Sequence, residues 1–493
     1  MRLADLVDAV GDNRRGVARF DFHRDADVEI TDMIDDSRTV HEGSLFCCVL
    51  GSHFDGHDFA TQAVAAGARA LLCQRELAVD VPQIVVRDVR ATMGPLASTL
   101  FGQPSRSLSV VGVTGTNGKT TTVHLVAAIL RATGVLTEII GTLTGSRTTP
   151  EAPELQQLLA RARDDGRGAV AMAVSSHALA QHRVDGTSFA ATIFTNLSSD
   201  HLDYHRTMEE YFRAKARLFE SSFTKIAVID IDTTYGRLLA DSVRLPVVVR
   251  SGVSTVEVLE VGLARCVFRW RDQIVRLPLG GRFNIANAVL AADAAAALDI
   301  APTVIADALA TVTPVPGRFE RIDEGQPFTV LVDYAHTPDG LARVLEAARE
   351  VARNSLSDGA TQARGARVIV VFGCGGDRDA TKRPLMGAEA EAGADVVVVT
   401  SDNPRHEDPQ DIVDAVLRGM NERPFAVELD RRKAIALALD AATEADVVVI
   451  AGKGHETTQQ IGDSFVLFDD REVARASLRE LGYAARHDGG QPQ

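Results

Sequence analysis

The chain has 493 residues, 45% of them hydrophobic, and a formal net charge of -15. At about 100–200 residues per domain, that length predicts several domains with cores of their own. The acidic balance argues against a nucleic-acid or membrane-surface protein, whose electrostatic footprint is basic. No apolar run is long enough to cross a bilayer. The opening MRLADLVDAVGDNRRG has no secretory pattern, so a cytoplasmic protein is expected. It is expected to act as a monomer on small molecules. Cys47, Cys48, Cys73, Cys266 and Cys374 show no CxxC spacing and are expected to be plain thiols, not disulfides or a zinc site.

Short β-branched runs alternate with Ala-rich helical stretches, which predicts an α/β chain with mostly parallel sheets. Three blocks follow in order. Residues 1–106 hold strand-like segments at 44–50, 68–73 and 83–89, with a helix in HDFATQAVAAG. Residues 107–317 hold strands at 107–115, 169–176, 190–197 and 225–232, and a helix at 284–300, and end at the breakers of PVPG. Residues 318–493 hold strands at 328–334, 366–373, 394–402 and 445–452. Polar, glycine-containing loops follow these last strands, where doubly wound sheets bind ligands.

The most specific local signal is Gly115-Thr116-Asn117-Gly118-Lys119-Thr120-Thr121, between a strand and a helix. This is the context of a phosphate-binding loop. Its backbone N–H groups and the helix N-terminus attract phosphate. Lys119 is placed to reach the β/γ-phosphates, and Thr120 to ligate Mg²⁺. The spacing departs from the usual loop, since Val113 stands where its first glycine belongs.

That departure, together with TNLSSDHLDYH, YFRAKARLF, GRFNIANAVLAA, PGRFE, DYAHTPDGL, KRP, DNPR and AGKGHE, resembles the Mur ligase family. The motifs span most of the chain. The resemblance implies three domains: a UDP-sugar-binding α/β domain, a central P-loop-type ATPase domain with a mostly parallel sheet, and a C-terminal Rossmann-like domain that binds an amino acid. It implies an ADP-forming ligase that activates a carboxylate with ATP as an acyl phosphate and lets an amine attack it.

Site residues carried over from the resemblance fall into three groups. Near ATP they are His201, a Mg²⁺ ligand supported by Asp200, and Lys215, which the family carbamylates with CO₂ to hold a second Mg²⁺. Asn287 lies near the adenine, with Asn284 one turn before it. Arg318, Asp333 and His336 approach from the third block. For the UDP-MurNAc-dipeptide they are Ser37, Ser52, His53, Thr148, Thr149, Ser175, Gln181 and Arg183. For the incoming amino acid they are Arg383, Asp402, Asn403, Pro404, Arg405, Gly452 and Glu456. In the family DNPR goes with meso-diaminopimelate, whose distal carboxylate suits an arginine and whose distal amine suits Asp402 and Glu456.

Three positions depart from the family pattern. Ala173 occupies a place usually held by a Mg²⁺-binding glutamate, Arg147 precedes Thr148, and Asp230 stands in a turn that usually carries asparagine. Two alternatives therefore stand beside the diaminopimelate-adding ligase. One is a paralogue using another amino acid. The other is a catalytically impaired nucleotide-binding subunit.

Overall fold

In a computed structural model describing residues 1–11, 19–21, 27–51, 54–357 and 365–483, three large sheets carry the chain. The first runs Arg19–Asp21, Gln83–Val85, Ala68–Cys73, Ser44–Cys47, Asp32–Ile34, all parallel except the Arg19–Asp21 edge. The strand expected at 83–89 stops at Val85. Asp88 adopts an extended conformation and accepts the N–H of Ala91, capping the helix Val89–Leu100.

The central sheet is parallel throughout, in the order Val247–Ser251, Ile226–Asp230, Ala191–Phe194, Ser109–Thr114, Ala169–Ala173, Thr137–Ile140. Both faces are covered, as a parallel sheet requires. Helices Lys119–Ala132 and Arg282–Ala297 pack one face. Ala152–Asp164 and Met208–Ala216 contribute to the other. The helix Arg282–Ala297 is buried nearly all round from Asn284 to Ala295, and its alanines allow that close packing. From the central strand Ser109–Thr114 the chain first goes to the Thr137–Ile140 edge and later to the opposite side. The strand order therefore reverses beside Ser109–Thr114, where such sheets open a binding crevice.

The third sheet runs Glu320–Ile322, Thr329–Asp333, Val447–Ala451, Val368–Phe372, Val396–Val399, Ala426–Val427. Only its Glu320–Ile322 edge is antiparallel. Helices Pro338–Ser357 and Lys382–Gly393 cover one face, and Arg431–Asp440 and Asp470–Glu480 the other.

The sequence reading missed edge strands in all three large sheets, among them Thr137–Ile140 and Val247–Ser251 of the central sheet. Both are short and only partly buried, so their pattern is weak. It also missed the antiparallel sheet Glu257–Val261, Cys266–Trp270, Gln273–Leu277 and the hairpin Thr458–Ile461, Ser464–Leu467. All five cysteines are free and buried. No described helix is long and apolar enough to cross a membrane.

Candidate active site

The loop after Ser109–Thr114 is held by its neighbours before any ligand is considered. The Asn117 N–H donates to Asn196 Oδ1 at 2.9 Å, and Thr195 Oγ1 donates to the Asn117 carbonyl at 2.6 Å. Thr116 Oγ1 lies 3.0 Å from the Tyr211 hydroxyl. Gly118, at φ 84°, begins the helix, and a Cβ there would sit 2.4 Å from Asn287 Oδ1. Only glycine fits that backbone and that approach. Asn287 is fixed in turn by Thr122 and by Asn284. Asn284 does not cap its helix, which begins at Gly281. Its amide instead donates back to the Gly280 carbonyl at 2.7 Å.

Beside the loop, cations crowd one carboxylate. Lys119 Nζ donates to the carbonyls of Gly115 and Thr116, both at 2.9 Å. Lys215 Nζ, 1% exposed, donates to the same Gly115 carbonyl at 2.7 Å and lies over the Tyr211 ring. Burial pushes the Lys119 ammonium down to about 8. Burial, with Lys119 adding to it, pushes Lys215 well below the usual lysine range. Burial opposes ionisation of Asp200, yet His201, His336, Lys382 and Lys119 together hold it below the ordinary carboxylate value. Burial pushes His201 down to about 3, so its imidazole is neutral. With Nε2 3.2 Å from Asp200, the N–H belongs on Nε2 and the lone pair on Nδ1.

If Lys119 meets phosphate as the ammonium, as the sequence reading expects, kcat/KM for ATP should fall as pH rises through about 8. A pH–rate profile tests this. A value still flat at about pH 9 would remove Lys119's depressed ionisation from the account.

The third sheet closes the site. Arg318 Nη2 donates to Thr120 Oγ1 at 3.2 Å, and its guanidinium stacks 4.3 Å from the Tyr334 ring centroid. Asn117 Nδ2 donates to Asp339 at 2.9 Å, and Lys382 Nζ lies 3.8 Å from Asp200. Asp333 accepts the Phe319 N–H at 2.7 Å, and burial pushes its carboxyl up. His336 Nδ1 faces the Tyr334 carbonyl at 2.7 Å, so that nitrogen carries the hydrogen and Nε2 the lone pair. Between the sheets lies a cavity of about 250 Å³. The phosphate loop, Asp200 and His201 line one end. Asp230, Phe283, Ala286, Leu290, Arg343 and Val344 line another part.

A second group meets between the first and central sheets. Arg183 donates to the Thr149 carbonyl at 3.1 Å and to Gln181 at 2.7 Å. Thr149 Oγ1 accepts the Ser175 N–H at 3.0 Å, and Thr148 lies 3.0 Å from Thr142. Glu151, 7% exposed in its side chain, pairs with Arg183 at 2.9 Å, Arg90 at 3.4 Å and Arg147 at 3.5 Å. Arg147 therefore has a structural partner. Ser37 follows the strand Asp32–Ile34 in a half-buried turn. Ser52 and His53 lie outside the described residues.

Burial, then the charge of Glu151, pushes Asp35 up to about 6 from 3.8. Its folded value lies above its unfolded one, so ionisation costs stability. That cost is absent below about pH 4 and complete above about pH 6. Asp35→Asn is expected to stabilise the protein by on the order of 2 kcal/mol at pH 7 and not at pH 4. Equal urea midpoints for both proteins at pH 7 would refute it.

The third group gathers at the carboxyl ends of Val368–Phe372, Val396–Val399 and Val447–Ala451. Arg383 pairs with Glu407 at 2.8 Å, leaving its buried Nε without a partner. Asp402 is 7% exposed, and its carboxylate receives no hydrogen bond among the described residues. Gly452, at φ 119°, passes so close that a Cβ would lie 2.5 Å from Asp402 Oδ2. Arg405 donates to the Gly376 carbonyl at 2.6 Å, and its backbone is bridged to Ile461 of the hairpin. The Pro404 carbonyl accepts the Glu407 N–H at 3.1 Å. Asn403 Nδ2 donates to Glu456 at 2.8 Å.

Residues 29–99, 113–295 and 317–454 match family models described as the Mur ligase family catalytic domain, the Mur ligase middle domain and the Mur ligase glutamate ligase domain. A UDP-N-acetylmuramoyl-L-alanyl-D-glutamate--2,6-diaminopimelate ligase of Geobacillus thermodenitrificans is 44% identical over 484 residues, 93% of this chain and 96% of that one. The chain belongs to the Mur ligase family. A ligase of the same name from Streptomyces coelicolor is 42% identical over 97% of this chain and 96% of its own. A solved structure with that name is 31% identical, with TM-score 0.64, covering 95% of this chain and 99% of that one. The MurF ligase of Thermotoga maritima, solved with ADP, is 19% identical with TM-score 0.61 over 92% of this chain and 97% of that one, and shares the fold.

This Mur ligase contains site residues that the sequence reading passed over. Tyr334 lies inside DYAH, Lys382 inside KRP and Lys453 inside GKGHE, so each sat within a quoted motif. Asp339 also sat within a quoted motif, DYAHTPDGL, whereas Arg343 and Glu151 had no such signal, because their placement depends on which elements meet across sheets.

Proposed function

We propose that this chain is a cytoplasmic, ATP-dependent amide ligase that adds meso-diaminopimelate to UDP-MurNAc-L-Ala-D-Glu in peptidoglycan precursor synthesis. Residues 1–106 would bind the UDP-sugar, 107–317 ATP, and 318–493 the amino acid. The observation that carries the reading is the third group of residues. Asp402, a buried carboxylate that receives no hydrogen bond among the described residues, stands in one loop system with Arg383, Arg405 and Glu456. A ligand bearing both an ammonium and a carboxylate at its far end satisfies that set. L-Lysine offers the ammonium alone.

The reaction divides between the groups. A substrate carboxylate oxygen attacks the γ-phosphorus, ADP leaves, and the acyl phosphate forms. The neutral amine then attacks the acyl carbon and phosphate leaves. The phosphate-loop N–H groups, Lys119 and Arg318 stabilise charge on the transferring group. Arg183, oriented by Gln181 and the Thr149 carbonyl, holds the dipeptide end of the substrate. Asn287 and the apolar walls Phe283, Ala286, Leu290 and Val344 accept the adenine.

Magnesium, when bound, neutralises phosphate charge. Thr120, His201 and Lys215 as a CO₂-derived carbamate would hold it. The donors fit: the His201 imidazole is neutral, and the depressed Lys215 amine is in the form that reacts with CO₂. Among the described residues no three His, Cys, Asp or Glu side chains form a metal cluster, and magnesium bound at such a site would draw further oxygens from phosphate and water. Ala173, 1% exposed at its strand end, adds no anion. Ala173→Glu is expected to lower the Mg²⁺ concentration for half-maximal activity several-fold. An unchanged magnesium titration would reject that assignment.

The deciding experiment is phosphate release from ATP with UDP-MurNAc-L-Ala-D-Glu, with and without meso-diaminopimelate, and with L-lysine in parallel. Release only with diaminopimelate supports the reading. Release with L-lysine instead, or with neither, defeats it.

A further inference from the structure

We infer that Lys453 is a positioning residue that sets the amino-acid pocket by orienting Glu456 and Asn403; the inference rests on the amino-acid role given above to those two residues. Lys453 is 0% exposed, and its ammonium has three acceptors: Asn403 Oδ1 at 3.1 Å, Glu456 Oε2 at 3.0 Å and the Thr458 carbonyl at 2.7 Å. A buried ammonium is tolerated only when its hydrogen bonds are met, and here all three are.

Two of those acceptors belong to residues that face the ligand. Asn403 Oδ1 also receives the Gln460 N–H at 2.9 Å, so its oxygen side is fully engaged and its Nδ2 is turned to Glu456. Glu456 Oε2 is thereby taken by Lys453 and Asn403. Oε1 is left, with the Tyr334 hydroxyl its one hydrogen-bond partner among the described residues, at 3.5 Å. Lys453 thus chooses which carboxylate oxygen meets an incoming ammonium. It also offsets one of the two negative charges, Asp402 and Glu456, that share the pocket. The other charged groups facing Glu456 are Arg318, Arg405 and Arg431. Through the Tyr334 ring under Arg318, and Arg318 on Thr120, the same network reaches the phosphate loop.

The test is a double-mutant cycle of Lys453→Met and Glu456→Gln, read in steady-state kinetics with the amino acid that the wild type uses. Lys453→Met is expected to raise KM for the amino acid by about tenfold or more while KM for ATP moves less than about twofold. In the Glu456→Gln background the same substitution should change little. An unmoved KM for the amino acid, or equal losses in both backgrounds, overturns the inference. If Lys453→Met loses its folded circular-dichroism spectrum, Lys453→Gln carries the same comparison. A wild type that turns over diaminopimelate beside an unaffected Lys453 variant defeats this inference alone. A wild type that uses a different amino acid defeats the diaminopimelate reading and leaves the cycle to be read with that substrate. One that neither turns over nor binds any amino acid overturns both.

Discussion

Lys215→Met is expected to slow phosphate release by at least about a hundredfold and, in the same protein, to raise thermal stability at pH 7. Both effects follow from where the amine sits. Its Nζ lies 2.7 Å from the Gly115 carbonyl and 4.7 Å from the Tyr211 ring centroid, with Lys119 nearby. Burial and that second cation disfavour its protonated form, so the folded pKa lies well below the unfolded one. Unfolding then takes up a proton. The resulting cost is complete below the folded pKa and fades as pH approaches the ordinary lysine value of 10.5. Methionine removes the cost, so its stability gain should be largest at low pH and vanish near that upper value.

Activity is expected to move the other way, because under the proposed carbamate role the neutral amine, which burial favours, is the form that attacks CO₂, loses a proton and becomes an anion. Wild-type turnover is therefore expected to fall in CO₂-depleted buffer and to return with bicarbonate, while Lys215→Met should not respond. A methionine variant with near wild-type turnover would remove the carbamate from the mechanism. One that is less stable at pH 7 would contradict the burial argument.

Arg405→Ala is expected to raise KM for meso-diaminopimelate by about a hundredfold while moving KM for ATP by less than about twofold. Arg405 holds an unusual backbone, φ 52°, pinned by the Gln460 carbonyl and Gly462 on either side of the hairpin. Among the described residues its guanidinium has one acceptor, the Gly376 carbonyl at 2.6 Å, which leaves donors for a substrate carboxylate. Arg383 is less free, since Glu407 already takes one edge of it. Arg405 should therefore cost more than Arg383 when truncated. The variant should also lose much of its preference for diaminopimelate over L-lysine, because removing the group that pairs the distal carboxylate removes the basis of the choice. Equal losses for ATP and amino acid would mean that the substitution disturbs domain closure instead of one contact.

These expectations differ in how much of them the sequence carries. GTNGKT, between a β-branched run and a helix, located the phosphate loop without any coordinates, because glycine conformation and helix-terminal N–H groups are local properties. DNPR and GKGHE were legible for the same reason, as loops at the ends of strands. The all-buried strands of the third sheet, such as Val447–Ala451, were found as continuous apolar runs. The short edge strands and the hairpin Thr458–Ile461, Ser464–Leu467 were not. No residue of either hairpin strand is buried, and the apolar run Phe465-Val466-Leu467 shows no alternation. Yet this hairpin braces Arg405 through the Ile461 bridge.

The sequence by itself determined the parallel α/β plan, the phosphate loop, and the residue types at each strand end, since these follow from periodicity and local backbone chemistry. Only the tertiary structure decided which charges face one another. Asp200 is set among Lys119, Lys382, His201 and His336 by contact between two sheets. Glu151 is set among three arginines from separate segments. Lys453 is enclosed with Asn403 and Glu456. The reason is physical. An ionisable group's state depends on its burial and on charges within a few ångströms, and those neighbours are up to hundreds of residues away along the chain, as Asn117 is from Asp339.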